Sequence, residues 1–232
     1  MQLSQRLKAV ADTVTIGNRV ADVGCDHAYI SIYLIKNKIA PNVIAMDVNK
    51  GPLQRAKENI YNHGFNHCIQ TRLSDGLQKL EPGEADTILI AGMGGALVIK
   101  ILDEGFEAVE KSTELILQPQ SEIHLVRKYL HRNGYDIKKE QMIKEDGKYY
   151  FILKAFPVPA KTDYKREVFY QYGKLLLEQR EPLMMEYLER EYRIREDVKT
   201  ELLLNPTEKS MERLGQVKQE IAYIEEALTY FK

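Results

Sequence analysis

Two carboxylates and two aromatic rings stand close together in residues 20–30, which read VADVGCDHAYI. Asp22 and Asp26 flank a glycine, and His27 and Tyr29 follow them directly. Carboxylates can bind a cationic group or move a proton, and an aromatic ring can stack on a flat ligand. These side chains act together only if the local backbone brings them to one side.

The backbone pattern of this stretch predicts a strand, a tight turn and a helix. An apolar, β-branched run over residues 19–23 precedes Gly24, and a helical pattern continues to about Lys38. Such a turn presents backbone N–H groups and the positive end of a helix to a ligand. It is typical of the opening of a nucleotide-binding α/β domain. The alternative is a plain turn that binds nothing.

The loop does not have the glycines of a dinucleotide site. A G-x-G-x-x-G loop lets a pyrophosphate approach the backbone, whereas Asp26 and Ala28 stand here where further glycines would be useful. A carboxylate would repel a pyrophosphate, which disfavours a nicotinamide-dependent oxidoreductase. The loop suits a ligand with a cationic group, such as the amino acid end of S-adenosylmethionine.

The next two predicted strands also end in acidic residues. The strand over residues 43–47 ends on Asp47, where a carboxylate can accept hydrogen bonds from a ribose diol. The strand over 68–73 ends in a turn that contains Asp75 and Gly76, placed to contact an adenine edge. A strand-terminating carboxylate and a common turn are the alternatives.

A glycine-rich segment follows the fourth predicted strand. Residues 85–90 form an apolar run that leads directly into AGMGG at 91–95. Three glycines in four residues indicate close approach of a ligand or another backbone, or else a flexible turn. Ligands bind at the carboxyl ends of parallel strands in open α/β sheets.

The strands and helices alternate along the first two thirds of the chain. Strands are predicted at 19–23, 43–47, 68–73, 85–90, 114–120, 136–144 and 148–156, and helices at 3–14, 29–38, 52–63, 96–102 and 121–134. The turn at 145–147 predicts a hairpin between the last two strands. We therefore expect an α/β fold with a seven-stranded, mostly parallel sheet that contains one antiparallel strand.

The pattern changes after Pro157 and Pro159, so we expect domains at 1–159 and 160–232. Residues 163–204 predict one long helix, kinked at Pro182, and a break at 205–207 precedes a last helix. The apolar spacing predicts an antiparallel, coiled-coil-like hairpin. The last helix contributes Met211, Leu214, Val217, Ile221, Ile224, Leu228 and Phe231, and Leu175, Leu176, Leu183, Tyr187, Val198 and Leu202 can face them. A structural role, dimerisation and substrate contact remain open for this hairpin.

The composition limits the other classes of function. The 232 residues are 44% hydrophobic and carry a formal net charge of −1, so overall charge does not indicate nucleic acid. No apolar run is long enough for a membrane span, and the first residues lack a signal peptide pattern. Two cysteines and five scattered histidines predict neither a disulfide framework nor a metal site. We expect a cytoplasmic protein.

Five segments together resemble a known family, the bacterial tRNA (adenine(22)-N(1))-methyltransferases. They are DVGCDHAY at 22–29, the aspartate at 47, SDG at 74–76, AGMGG at 91–95 and QPQ at 118–120. The resemblance covers nearly the whole chain, including the helical hairpin. It implies a class I, Rossmann-like methyltransferase fold, S-adenosyl-L-methionine as cofactor, and methylation of N1 of the adenine at tRNA position 22.

The resemblance also implies roles for individual residues. Asp22, Gly24 and His27 would line the methionine part of the cofactor, Asp47 with Val48 would hold the ribose, Asp75 and Gly76 would bracket the adenine, and Ala91, Gly92 and Met93 would form the floor under the sulfonium and the target base. It assigns no role to the two glutamines of the QPQ segment.

The segment after the fourth strand indicates which adenine nitrogen is the target. Methyltransferases of exocyclic amines carry an Asn/Asp-Pro-Pro-aromatic loop there, and this chain does not. A ring nitrogen needs no deprotonation, so positioning would supply most of the catalysis. We hypothesise that Asp26 stabilises the positive charge on adenine or draws a proton from its amino group; alternatively it only binds the cofactor. Tyr29 would stack on the target base, or else pack against the sheet.

Recognition of tRNA requires phosphate contacts as well as base contacts. Candidate basic residues are Arg6, Lys8, Lys36, Lys38, Lys128, Arg132, Lys138, Lys139, Lys165, Arg166 and Lys174. A solvated surface is the alternative for those of the first helix. We expect a monomer or weak dimer. Two other functions remain open: a methyltransferase for a protein or small molecule, and a non-enzymatic assembly factor that dimerises through its hairpin.

Overall fold

The computed structural model describes residues 3–160, 163–204 and 206–232. The chain divides into two compact units, Met1–Asp163 and Tyr164–Lys232. The first unit contains a sheet with helices on both faces, and the described part of the second unit is helical. Each unit buries its own set of apolar side chains.

Seven strands form a single sheet in the order β3-β2-β1-β4-β5-β7-β6. Their bounds are β1 (Val20–Val23), β2 (Val43–Asp47), β3 (Ile69–Leu73), β4 (Thr87–Met93), β5 (Glu114–Pro119), β6 (Tyr135–Glu145) and β7 (Lys148–Pro157). All pairings are parallel except those of β7, which runs antiparallel to both of its neighbours. The predicted seven-stranded sheet with one antiparallel strand is confirmed.

The direction of the strand order reverses between β1 and β4, which pair directly. From β1 the chain continues outward to β2 and β3, whereas β4 and β5 lie on the other side. Ligands bind in the crevice at such a reversal, outside the carboxyl ends of the strands. The loops that follow β1 and β4 are thereby brought together.

Six helices cover the two faces of the sheet. They are α1 (Gln5–Asp12), α2 (Tyr29–Lys36), α3 (Lys50–Asn62), α4 (Gly95–Glu104), α5 (Phe106–Lys111) and α6 (Ile123–Arg132). Successive side chains of a strand point to opposite faces. Accordingly, Ile88 and Ile90 pack with α4, α5 and α6, and Leu89 packs with α1, α2 and α3. The continuous apolar strands of the sequence follow from burial on both faces.

Two details of the first unit differ from the sequence expectations. β4 continues to Met93 instead of ending at residue 90, because Gly92 (φ 81°) forms an irregularity in the pairing with β5. The helix α5 was not expected. At the predicted hairpin between β6 and β7, Asp146 and Gly147 both have positive φ, as a type I′ turn requires.

The expectation of a single helix over residues 163–204 is wrong. The structure has three helices there, α7 (Glu167–Tyr172), α8 (Lys174–Glu178) and α9 (Pro182–Leu204). Gly173 (φ 89°) separates α7 from α8, and Arg180 (φ 52°) lies between α8 and α9. Pro182 starts α9 and does not kink it, because the missing N–H of proline costs nothing in the first turn of a helix.

The last helix, α10 (Glu208–Leu228), packs against α9 and is followed by a short 3-10 turn. Thr207 and Ser210 cap its start reciprocally, while Asn205 of the predicted break lies outside the described residues. The predicted apolar positions that are buried in α10 are Leu214, Val217, Ile221 and Ile224, whereas Met211 is exposed. The coiled-coil geometry itself stays a prediction.

The fully buried residues of α9 are Met184 and Leu188. The residues of this helix that were expected to face α10 are half-buried, namely Leu183, Tyr187, Val198 and Leu202. Their place in a seam with α10 stays a prediction.

In the described part of the chain, no helix is both long and apolar enough to cross a membrane. The same residues contain no group of three or more histidine, cysteine, aspartate or glutamate side chains that could hold a metal ion.

Candidate active site

A cavity of about 260 Å³ lies at the carboxyl ends of β1 and β4. The β1–α2 loop, the end of β4, the residue after β5 and the helix α1 all contribute to its wall. Seven of the residues expected to form a site line it: Asp22, Gly24, Asp26, His27, Tyr29, Ala91 and Gly92. The structure therefore brings together the two loops that the sequence singled out separately.

Gly24 makes the turn after β1, and a larger residue there would have to adopt positive φ and displace the end of the Met93 side chain. Its φ is 74°, and its N–H donates a hydrogen bond to the Met46 carbonyl oxygen (2.8 Å). A Cβ atom at this position would lie 2.2 Å from Cε of Met93. Met93 thus fills the space beside the glycine without itself lining the cavity.

Two non-glycine residues of the loop adopt the left-handed conformation. They are Asp26 (φ 49°) and Ala28 (φ 59°), the positions where the sequence lacks the expected glycines. Left-handed backbone costs a non-glycine residue roughly 1–2 kcal/mol. Such strain collects at functional sites. The helix α2 follows directly, and no side chain caps its first turn. The backbone N–H groups of that turn, at the end of the helix beside the cavity, therefore have no side-chain partner at the cap position.

Asp22 is the deepest polar group of the site. It is 2% exposed, and the Ser31 hydroxyl donates a hydrogen bond of 2.6 Å to its carboxylate. Burial, with a smaller contribution from the nearby Asp47 carboxylate, raises the pKa of this carboxyl group to about 6 against the lowering effect of the hydrogen bonds from Ser31. No positively charged side chain of the described residues forms an ion pair with Asp22. A cationic ligand group would supply the missing partner.

Asp47 connects the ends of β1 and β2. One of its carboxylate oxygens accepts a hydrogen bond from the Asn49 N–H (2.8 Å), and the other accepts one from the Asp26 N–H (3.3 Å). These bonds fix the carboxylate while leaving oxygen lone pairs for a further donor. The neighbouring Val48 is exposed.

The turn after β3 continues this edge of the sheet. The Ser74 N–H donates to the Asp47 carbonyl oxygen (2.9 Å), and Asp75 is exposed beside it. A Cβ atom on Gly76 (φ 51°) would lie 3.1 Å from Cγ1 of Ile101. These residues and Asp47 do not line the cavity, but they extend from it along the strand ends.

Two side chains of the β1–α2 loop and the first side chain of α2 line the cavity and are partly exposed. The side chain of Asp26 is 66% exposed, and one of its oxygens lies 3.5 Å from Nε2 of His27. The His27 and Tyr29 rings stack at 5.2 Å between centroids, with an angle of 15° between their planes. Tyr29 is 38% exposed, which argues against the alternative that it packs against the sheet.

Sequence reasoning missed part of the cavity wall. Arg6 of α1 lines it, as does Gln120 after β5. Cys25 also lines it, and burial raises the pKa of its thiol. The sequence indicated Arg6 only as a candidate phosphate contact on a helix whose alternative was a solvated surface, because its position beside β4 depends on tertiary packing.

The chemical character of the site is that of a receptor for a nucleoside that carries a cationic amine. Buried and exposed carboxylates, Asp22 and Asp26, can face the amine, and Asp47 can accept hydrogen bonds from a ribose diol. The bulge at Gly92 offers backbone and open space in place of an amide side chain. S-adenosylmethionine has this combination of groups, so the residues present fit it.

Comparisons with known proteins agree with this chemistry. A family model described as "Methyltransferase domain" matches residues 3–153. The chain is 40% identical over 155 residues to the tRNA (adenine(22)-N(1))-methyltransferase of Bacillus subtilis (strain 168). That alignment covers 67% of this chain and 65% of the relative, so it spans just under two thirds of the relative's length.

Two solved structures match over almost the entire chain. The crystal structure of the B. subtilis m1A22 tRNA methyltransferase TrmK is 30% identical, has a TM-score of 0.89, and aligns over 98% of this chain and 99% of that one. M. capricolum TrmK, in complex with S-adenosyl-homocysteine, is 26% identical with a TM-score of 0.86 over 100% of both chains. The family predicted from the resemblance is thereby confirmed. This chain belongs to the family of bacterial tRNA (adenine(22)-N(1))-methyltransferases, within the S-adenosylmethionine-dependent methyltransferases.

Proposed function

We propose that this protein transfers a methyl group from S-adenosyl-L-methionine to N1 of the adenine at position 22 of tRNA. One observation supports this most: Asp22 of β1, Asp26 of the following loop and the glycine bulge of β4 line one cavity at the strand reversal. A cofactor and a flat acceptor base can therefore meet there. The tRNA relatives supply the choice of acceptor.

The residues around the cavity can each take one part of the cofactor. When bound, S-adenosylmethionine supplies an electrophilic methyl group on a sulfonium centre. In our proposal Asp22, Gly24 and His27 line the methionine part, and Asp47 with Val48 holds the ribose. The remaining contacts come from Asp75 and Gly76 at the adenine, and from Ala91, Gly92 and Met93 beneath the reacting groups.

Asp26 is the residue we propose to assist the chemistry. It lines the cavity with an exposed carboxylate, one oxygen of which lies 3.5 Å from Nε2 of His27. Methylation at N1 places a positive charge on the adenine, and a fixed carboxylate stabilises that charge or takes a proton from the amino group. The competing assignment is that Asp26 binds only the amine of the cofactor.

Tyr29 is the residue we propose to hold the target base. Its ring is 38% exposed and is supported on one face by His27. Base–aromatic stacking is worth about 1–3 kcal/mol in single-stranded recognition. A ring that is already oriented by a stacked neighbour loses little further freedom when a base arrives.

The candidate contacts to the rest of the tRNA differ in how their charge is compensated within the protein. Carboxylate partners within the protein are present for Lys8, Lys138, Arg166 and Lys174. These ion pairs partly neutralise the four cations. We therefore expect them to contribute less to phosphate binding than the exposed Lys36 and Lys38 near the end of α2. The second unit remains a proposed tRNA-binding element.

We also propose that the protein acts in the cytoplasm as a monomer or weak dimer. Both cysteines, Cys25 and Cys68, are free thiols, as a reducing compartment requires. Sedimentation over a range of protein concentrations tests the assembly state. A stable dimer that persists at nanomolar concentration would contradict it.

The substrate is tested with two transcripts of the same unmodified tRNA. One carries adenine at position 22, and the other carries guanine there. We expect methyl transfer from labelled S-adenosylmethionine to the first transcript and none to the second. Equal transfer to both would reject the assigned position. No transfer, with cofactor binding intact, would instead favour a protein or small-molecule acceptor.

A further inference from the structure

Arg6 of α1, so far only one of several candidate phosphate contacts, lines the same cavity as Asp22 and Asp26. No carboxylate of the described residues forms an ion pair with its guanidinium group. A positive charge close to the sulfonium of the cofactor is unfavourable by Coulomb's law. An anion that arrives with a ligand would compensate this charge.

The guanidinium of Arg6 is held in place by neutral groups. Its Nη1 donates a hydrogen bond of 2.7 Å to Oε1 of Gln118, a residue that is completely buried in β5. The group also lies over the Tyr150 ring, 5.2 Å from its centroid. The Arg6 backbone N–H donates to a Glu145 carboxylate oxygen (3.3 Å). These contacts orient the cation without neutralising it.

The guanidinium lies beside the glycine of the β4 bulge. A Cβ atom on Gly92 would lie 3.7 Å from Nη1 of Arg6 and 3.9 Å from Nε2 of Gln120, which is ordinary van der Waals contact with both groups. Two hydrogen-bond donors thus approach the bulge of β4 from two different elements, α1 and the segment after β5. An orientated guanidinium beside a second N–H donor is a receptor for a pair of anionic oxygens.

We propose that Arg6 is the oxyanion-binding residue of this site and that Gln118 is its positioning residue. The anion is either the carboxylate of the cofactor's amino acid end or a phosphate next to the target adenosine. If the anion is the cofactor carboxylate, the inference requires only that the protein binds the cofactor. If the anion is a tRNA phosphate, the inference rests on the proposed function. It gives a function to the QPQ segment, which carries Gln118 and Gln120.

The test uses the full-length protein and two nucleoside probes. S-adenosylhomocysteine carries the carboxylate, and 5′-methylthioadenosine lacks the amino acid end. Calorimetry measures both affinities, and initial rates with the adenine-22 transcript give the KM for tRNA. The variants are Arg6→Gln, Arg6→Lys and Gln118→Glu. The control is Lys100→Gln, which removes a positive charge from α4, where Lys100 lies 3.6 Å from Glu104.

Gln118→Glu is the most specific of these variants. It places a carboxylate against the guanidinium. The hydrogen bond between residues 6 and 118 is kept, but the positive charge of Arg6 is neutralised. A purely structural role for this pair predicts unchanged ligand binding and equal or higher thermal stability. The oxyanion role predicts a loss of binding of roughly tenfold or more, from the usual strength of a hydrogen bond between charged groups.

Each outcome separates the two sources. A weaker affinity for S-adenosylhomocysteine, with unchanged affinity for 5′-methylthioadenosine, assigns the cofactor carboxylate. An unchanged cofactor affinity with a raised KM for tRNA assigns the phosphate. Affinities and KM within twofold of wild type in folded Arg6→Gln and Gln118→Glu variants overturn the inference. If the wild-type protein binds the cofactor but methylates no tRNA, the proposed function fails while the cofactor comparison still decides the role of Arg6.

Discussion

Asp22 allows a sharp test of how the site is built, because its burial affects both stability and cofactor binding. Its carboxyl group lies within β1 at 2% exposure and has no positive partner among the described residues. The change Asp22→Asn keeps the shape of the side chain and its acceptor for the Ser31 hydroxyl, but removes the charge. We expect the variant to be more stable than the wild-type protein without ligand and poorer at binding the cofactor.

The magnitude follows from the pKa of Asp22, which burial raises from 3.8 to about 6. A raised pKa means that the folded protein holds this proton more tightly than the unfolded chain. The contribution of Asp22 to stability therefore falls as the pH rises from about 4 to about 6 and stays low above that range. A shift of about 2 units corresponds to about 3 kcal/mol. The advantage of Asp22→Asn is expected to grow from near zero at pH 4 to about 3 kcal/mol at pH 8.

Urea unfolding of both proteins at several pH values between 4 and 8 measures this difference, and titrating groups that do not interact with Asp22 cancel in the comparison. Calorimetry with S-adenosylhomocysteine at pH 6, in buffers of different ionisation enthalpy, adds a second readout. A cationic amine beside Asp22 lowers its pKa, so binding should release part of a proton in the wild-type protein and none in the variant. A stability difference that does not change with pH would refute the reasoning.

Three further changes test other parts of the account. Gly24→Ala is expected to lower the free energy of unfolding by about 2–4 kcal/mol. The additional change Met93→Ala should restore the part of this loss that comes from the steric clash, so a double-mutant cycle should show a coupling of about 1–3 kcal/mol. Strictly additive effects would reject the contact. Asp26→Ala should lower kcat far more than cofactor affinity, and equal losses in both would leave Asp26 with a binding role only. Truncation after Pro159 should weaken tRNA binding while preserving cofactor binding; unchanged tRNA affinity in a folded truncation would exclude the second unit from recognition.

The strands of the sheet could be predicted because burial on both faces leaves a simple pattern. Runs such as residues 43–47 and 114–119 are apolar, β-branched and bounded by turns, and they pair in parallel as expected. Asp47 at the end of the first of these runs was also recognisable, since the carboxyl ends of the parallel strands lie at one edge of the sheet. Position along a strand was therefore enough to collect most of the candidate site.

The remaining features depend on contacts between distant segments. Nothing in the local sequence shows that Asp26 and Ala28 adopt positive φ without glycine, because the surrounding structure imposes that strain. The place of Arg6 beside Gly92 joins residues far apart in the chain. The break at Gly173 was visible as a glycine, but helical periodicity on both sides concealed it.

The most direct test of the central claim identifies the methylated atom. Unmodified tRNA with adenine at position 22 is incubated with the protein and S-adenosyl-L-methionine, digested to nucleosides and analysed by mass spectrometry against 1-methyladenosine and N6-methyladenosine standards. We predict 1-methyladenosine from this tRNA and none when adenine 22 is replaced. N6-methyladenosine, or no methylated adenosine although the protein binds the cofactor, would contradict the account.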